Sequence, residues 1–254
     1  MYSVWSFFYL HNYKIILEYD GTDFFGWQLQ KNKRTVQGEL EHALTKLENG
    51  KLIRVHGAGR TDTGVHALGQ CANFKLNKPW ESHGLKRAIN GNAGKDFRVH
   101  HCEEVPEDFH ARYSAIKRRY FYKCRLDESI MDRNYVWQIP SDISMRKLRF
   151  CANIIFGEND FTTFSKVSNT VKHTRCIIFQ SKWIKRGVFV TYMIESNRFL
   201  HHMIRYLVGT MVEVAKGTLT EKEFEVLLQS KNPEAKVYKA PAHGLYLERI
   251  FYEI

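Results

Sequence analysis

The stretch His56-Gly57-Ala58-Gly59-Arg60-Thr61-Asp62-Thr63-Gly64-Val65-His66-Ala67 decides what kind of sheet this chain builds. Its glycines invite comparison with a phosphate-cradling loop at the head of a helix. A dinucleotide fingerprint, however, needs a third Gly where Asp62 stands and a helix after it, and a P-loop needs Gly-Lys-Ser/Thr, which is absent. The next segment, Gln70–Leu76, reads as a strand. The stretch is therefore a turn-rich loop between two strands. It presents one carboxylate, Asp62, between Thr61 and Thr63 and two residues after Arg60.

Working outward, alternating apolar segments rich in β-branched and aromatic residues predict strands over Tyr13–Tyr19, Leu52–His56, Gln70–Leu76, Phe97–Val105, Arg118–Leu126, Arg175–Trp183, Val188–Ile194 and Leu245–Tyr252. Val36, Leu40, Ala43, Leu44 and Leu47 recur at helical spacing behind Thr35 as an N-cap, and Ser144–Phe156, Phe199–Val214 and Thr220–Gln229 repeat the pattern. Strands outnumber helices in mixed order, which predicts an α+β fold with a largely antiparallel sheet. A boundary near Pro106-Glu107-Asp108 divides the chain into an N-terminal half, 13–106, which carries the Asp62 loop, and a C-terminal half, 107–254. Residues 1–12 read as an N-terminal tail.

The chain has 254 residues, 44% of them hydrophobic and 14% aromatic, enough for a substantial core and too apolar for a disordered chain. Lys and Arg number 38 against 27 Asp and Glu, a formal charge of +11, which excludes an acidic binder. The cations fall in small groups among aromatics: Lys31, Lys33 and Arg34; Lys86 and Arg87; Lys117, Arg118 and Arg119; Lys182, Lys185 and Arg186. That pattern suits a folded surface tracking phosphates, or simply a basic solvated one. The opening Met1–Tyr13 is too short and too polar to span a membrane and lacks the marks of a signal peptide, so the expected address is the cytoplasm. Five widely spaced cysteines form no chelating pair and read as reduced apolar residues. The doublets His100-His101 and His201-His202 raise a metal site. Neighbours on a strand or helix point apart, so neither doublet can gather on one ion unaided, and no metal is expected.

Three places could carry chemistry. Asp62 either acts chemically or closes an Asx-turn onto its own backbone. Arg205 lies within a predicted helix that is apolar on most faces, so its guanidinium either finds a carboxylate, with Asp62 one candidate, or snorkels to solvent. Tyr120 alternates with Tyr122, Cys124 and Leu126 on the core side of its strand, opposite Arg119, Phe121, Lys123 and Arg125. There it is either a packed ring or a stacking platform for an unstacked base.

From Tyr13 onward the sequence resembles TruA-type tRNA pseudouridine synthases. The resemblance rests on eight stretches in order: Tyr19-Asp20-Gly21-Thr22 with Gly26-Trp27-Gln28, Thr35-Val36-Gln37-Gly38, Gly57-Ala58-Gly59-Arg60-Thr61-Asp62, Phe109-His110-Ala111-Arg112, Arg118-Arg119-Tyr120, Asp160-Phe161-Thr162, Phe199-Leu200-His201-His202-Met203-Ile204-Arg205, and Gly244-Leu245-Tyr246-Leu247. Thr63 departs from the Ala of many members, and residues 1–12 precede the usual start. The resemblance implies two similar α/β halves whose sheets join into one bent, mainly antiparallel sheet with a central catalytic cleft. It further implies a cofactor-free, metal-free isomerase that acts as a homodimer on uridine in the anticodon stem-loop of tRNA, at tRNA positions 38, 39 and 40. By the same resemblance Asp62 is catalytic, Tyr120 stacks on the target base, Arg205 pairs with Asp62, Arg60 helps to displace the base, and Leu245 joins them in binding substrate.

The chemistry is compatible with one carboxylate. Moving C1′ from N1 to C5 of the base needs a nucleophile or an electrostatic stabiliser beside C1′ but no water, unlike glycoside hydrolysis with its carboxylate pair. Direct attack on C1′, addition to the base and deprotonation at C2′ remain open, and no residue is assigned to remove the C5 proton. The base must leave its stack to be reached. A non-catalytic RNA-binding protein would use the same cations but be indifferent to Asp62. A zinc nucleobase deaminase would need H-x-E and P-C-x-x-C, which are absent.

Overall fold

The computed structural model describes residues 10–166 and 173–253. Its first half runs β1 (His11–Tyr19), α1 (Val36–Leu47), β2 (Val55–Gly57), β3 (His66–Leu76), α2 (Ser82–Asn92) and β4 (Phe97–Val105). The second runs β5 (Ala115–Arg125), β6 (Trp137–Gln138), α3 (Met145–Ile154), β7 (Gly157–Asp160), β8 (Arg175–Arg186), β9 (Phe189–Ser196), α4 (Met203–Lys216), α5 (Glu221–Ser230) and β10 (Leu245–Tyr252). Among the described residues all the strands belong to one sheet of ten, ordered β4-β1-β3-β10-β5-β9-β8-β7, with β2 pairing β3 and β6 pairing β5. The α+β reading and the mainly antiparallel sheet hold. The parallel pairings are β10 with β3 and β6 with β5.

Alternation explains the layering. In β1, Tyr13, Ile15, Leu17 and Tyr19 are buried while Lys14, Ile16 and Glu18 between them are partly exposed. The buried face meets helices, with Val36, Leu40, Ala43 and Leu44 of α1 and Leu207, Val208, Met211 and Val212 of α4 in the same core. Fully burying one such side chain contributes about 1.5–3 kcal/mol, so this layer supplies most of the stabilisation. The other face of β5 and β10 is roofed by cations over rings. Phe121 and Tyr246 stack at 4.7 Å with Lys123 above them, and Lys117 and Arg119 lie over Phe251.

Several boundaries differ from expectation. The tail expected over 1–12 ends earlier, because β1 begins at His11 and the buried Asn12 side chain donates to Pro106 O and Phe109 O. Residues 1–9 lie outside the described residues. The strand expected over Leu52–His56 is Val55–Gly57, and β3 begins at His66, so the ends of the glycine-rich stretch are themselves strand. α2 was not expected: its N-cap is Glu81, whose carboxylate accepts from His83 N and Gly84 N, a longer side chain doing what Ser or Asp usually does. The helix expected from Phe199 starts at Met203, because His202 sits at φ 63° in the left-handed region and breaks the run. Arg205 is therefore in the first turn of α4 and not at its middle.

Candidate active site

Residues 58–65 span β2 and β3 and are held from both sides. Ala58 N donates to Cys71 O at 2.8 Å, the Gln70 amide to Gly59 O at 2.8 Å, Trp27 N to Thr61 O at 3.1 Å, and Tyr19 Oη lies 2.8 Å from Thr61 Oγ1. The loop between β1 and α1 fits against it only because Gly26 has φ 82° and no side chain; a Cβ there would stand 2.5 Å from Thr61 O. The Asp62 carbonyl closes the turn by accepting from Val65 N at 3.1 Å. Its side chain turns away from the turn and accepts from Arg205 Nη1 at 3.0 Å.

Arg205 is placed by more than that contact. Its Nε donates to Ala240 O at 2.9 Å, and its own carbonyl accepts from Ala240 N at 2.9 Å. The guanidinium is a brace between α4, the segment before β10, and the Asp62 loop. The pair is mostly buried, the Arg205 and Asp62 side chains being 14% and 21% exposed. Of the two choices for Arg205, pairing with a carboxylate is the one observed.

His201 and His202 also face Asp62: His201 Nε2 is 3.6 Å from Oδ1 and His202 Nε2 is 3.4 Å from Oδ2. The premise that adjacent imidazoles must diverge fails here. The pair lies in the turn before α4, and the left-handed His202 folds the two rings to 3.8 Å between centroids. Burial pushes the His202 imidazole down to about 4, against the pull of Asp62, and lowers His201 as well, so both rings are neutral near pH 7. Lys239 Nζ stands 3.2 Å from His202 Nε2, and burial, with Arg205 second, lowers its ammonium pKa.

Tyr120 is buried on β5, its ring edge-on to Phe199 at 5.1 Å and its hydroxyl facing the backbone at Gly59, where an added Cβ would lie 3.6 Å away. Burial raises its phenol well above the ordinary value, so it stays protonated at neutral pH. Leu245 opens β10 buried opposite Tyr122, and Leu247 is the residue opposite Tyr120. Arg60 is exposed on the Asp62 loop.

Lys117, Arg118 and Arg119, one of the small groups of cations, are engaged within the protein. Lys117 Nζ and Arg119 Nη2 each pair at 2.8 Å with the buried Glu195, and Arg118 donates to the carbonyls of Asn197, Arg112 and Ala115. Arg118 binds the 112–115 segment to the end of β9, a fixed internal brace. The exposed cations near the carboxylate are Arg60, Lys166 and Lys239. The last two sit on loops with no periodic pattern, so the sequence carried no sign of them.

The profile of the tRNA pseudouridine synthase family matches residues 15–114 and 152–253. The chain belongs to that family. Relatives named tRNA pseudouridine synthase A include those of Anoxybacillus flavithermus, 36% identical over 241 residues covering 94% of this chain and 98% of the relative, and of Brachyspira hyodysenteriae, 38% identical over 248 residues, 96% and 99%. That of Dictyoglomus turgidum is 39% identical over 245 residues, 95% and 99%. The synthase is thus of the TruA type, an isomerase acting on tRNA uridine. Among the described residues no helix of the synthase is long and apolar enough to cross a membrane.

Proposed function

We propose that this synthase converts uridine to pseudouridine in the anticodon stem-loop of tRNA, as a cytoplasmic homodimer built of halves 13–106 and 107–254, with Asp62 as the catalytic carboxylate. The observation that carries the reading is the Asp62–Arg205 contact across the halves. A carboxylate on a loop braced by Tyr19, Trp27 and Gln70 is positioned before substrate arrives, which is the arrangement that lowers a barrier without reorganisation. Arg205 holds Oδ2, which leaves Oδ1 to face the sugar.

In the reaction the bond from C1′ to N1 breaks, the freed base turns, C1′ joins C5, the C5 proton is lost and N1 gains a proton. Atoms balance without water, so a site that excludes it serves the reaction. Tyr120 offers a ring against which the turning base stacks, its hydroxyl protonated. Arg60, exposed two residues before Asp62, fills the gap left by the extruded nucleotide, and Leu245 lines the pocket beside Tyr122. Asp62→Asn keeps the shape and one acceptor for Arg205. It is expected to bind tRNA like the parent and to form no pseudouridine when the anticodon arm is probed chemically. An Asn variant with near-parent turnover would refute the assignment and restore a purely RNA-binding role.

A further inference from the structure

His201 Nε2, His202 Nε2 and the Asp62 carboxylate converge, with one ligand atom from each lying within 4.8 Å of the others. The convergence depends on the left-handed backbone of His202, a conformation that side chains with a Cβ avoid and that persists where surroundings impose it. The spacing is informative. At 3.4 and 3.6 Å the imidazole-to-carboxylate distances exceed the roughly 2.7–2.9 Å of charge-assisted hydrogen bonds. Tetrahedral zinc with bonds of about 2.0–2.1 Å sets its ligand atoms about 3.3–3.4 Å apart, which His202 Nε2 and Oδ2 match at 3.4 Å; His201 Nε2 faces the other oxygen, Oδ1, at 3.6 Å, so the carboxylate meets the ion through both oxygens or turns to present one.

Lys239 reinforces this reading. An ammonium only donates, so its 3.2 Å approach marks His202 Nε2 as the ring nitrogen that carries the lone pair. A cation, the lysine's own, already rests on that nitrogen beside Asp62. We propose that Asp62, His201 and His202 form a site for a borderline divalent transition-metal ion, with zinc the best fit, and that its binding displaces the Lys239 ammonium and withdraws Asp62 from the reaction. Two imidazoles and a carboxylate suit zinc or cobalt, whereas Mg2+ demands oxygen ligands and keeps its waters. His202 Nδ1 is buried with no hydrogen-bond partner among the described residues, so the orienting second contact that usually strengthens a metal-bound imidazole is missing. With Arg205 also at 3.0 Å from Oδ2, a resident cation competes for the same carboxylate and the site is weak. The metal site rests on geometry; only its effect on turnover rests on Asp62 being catalytic.

The test uses the full chain without RNA. Co2+ titration is expected to give the visible absorption of a four-coordinate nitrogen–oxygen site, and Zn2+, followed by competition with a chromophoric chelator, should displace one equivalent. His201 is half-exposed, so His201→Ala and His201→Gln should fold, and each should lower zinc affinity at least tenfold, while Lys239→Gln should raise it several-fold. Pseudouridine formation should fall as zinc fills the site and return with EDTA, and Mg2+ should not substitute. Parent-like zinc affinity in both His201 variants, no Co2+ absorption, or thiolate bands from the five buried cysteines would overturn the site. Zinc bound at the site with turnover untouched would leave the metal site standing and refute the role of Asp62.

Discussion

Replacing Arg205 by Met removes the guanidinium and keeps most of the apolar stem, so it isolates what the charge does. At the 3.0 Å separation from Asp62 the gross attraction is about 1.4 kcal/mol at the dielectric of water and about 5.5 kcal/mol at an effective value near 20. The desolvation of both groups offsets much of this. With a seventh of the arginine and a fifth of the carboxylate exposed, the net worth of the pair is about 1–2 kcal/mol. The second loss is at Ala240 O, in a fully buried residue, which gives up its bond from Nε at a cost of about 1–3 kcal/mol. Arg205→Met should therefore lower unfolding free energy by roughly 2–5 kcal/mol, read from denaturant midpoints, and still leave a folded enzyme. Its single-turnover rate should drop about a hundredfold, because a carboxylate released from its brace is misplaced by a fraction of an ångström or more. Asp62→Asn should lose at least about a thousandfold, and the double variant should be no slower than Asp62→Asn, since residues acting as one unit are not additive. Multiplicative rate losses, or a parent-like rate in Arg205→Met, would refute the claim that Arg205 works through Asp62.

The affinity for tRNA should fall steeply with salt, with log K declining about 0.7–0.9 per phosphate contacted against log salt; Arg60→Gln should flatten that slope by about one unit, and Lys117→Gln, paired internally with Glu195, should leave it unchanged. A slope that responds to Lys117 but not Arg60 would restore the basic triplet as a phosphate contact. Tyr120→Phe should retain turnover if the ring stacks and lose it if the hydroxyl moves a proton, while Tyr120→Ala should cost about 3–5 kcal/mol of stability through the cavity it leaves. His66 is buried, with Nδ1 accepting from Gly21 N and Nε2 reaching Asn134 O, and burial holds its pKa below 6.5. The unfolded chain takes up this proton near pH 6.5 and the folded chain only lower, so stability should decline as pH falls below about 6.5; His66→Gln should make the decline shallower, and an identical decline in parent and variant would exclude His66 as a contributor.

Much of the fold was legible because its strands have one buried face. Tyr13–Tyr19 and the start of Phe97–Val105 alternate clearly, and capped helices such as the one behind Thr35 carry their start in one side chain. What escaped was what periodicity does not encode. β7 is four residues long, β6 two, and α2 is capped by a glutamate and interrupted by Gly84 and Gly91. At the site, the Asp62 loop and the buried arginine could be recognised as chemically out of place, and their contact was one of two readings. The convergence of His201 and His202 could not, since it depends on a single backbone torsion at His202 that neighbouring residue types do not announce. The internal pairing of Lys117 and Arg119 escaped for a similar reason. Their common partner Glu195 is 76 residues beyond Arg119, opposite it across the β5–β9 ladder.

β10 lies between the strands of the two halves. It pairs with β3 through Tyr246 and Leu247, opposite His66 and Ala67, and with β5 along its other edge. Seen from the ribosome, this reverses the order in which the enzyme becomes useful. Asp62 and Tyr120 emerge early, yet at about 5–20 residues per second another roughly 6–25 s pass between synthesis of residue 120 and residue 245. Until then β3 and β5 have no common neighbour, and the stretches that β10 will take, His66 and Ala67 of β3 and Ala115–Tyr122 of β5, stay unpaired on that side. A nascent chain stalled before residue 245 should capture no tRNA in a pull-down, and one extended through residue 252 should. A chain broken off before β10 lacks the strand that joins β3 to β5, and with it the continuity of the sheet between Asp62 and Tyr120.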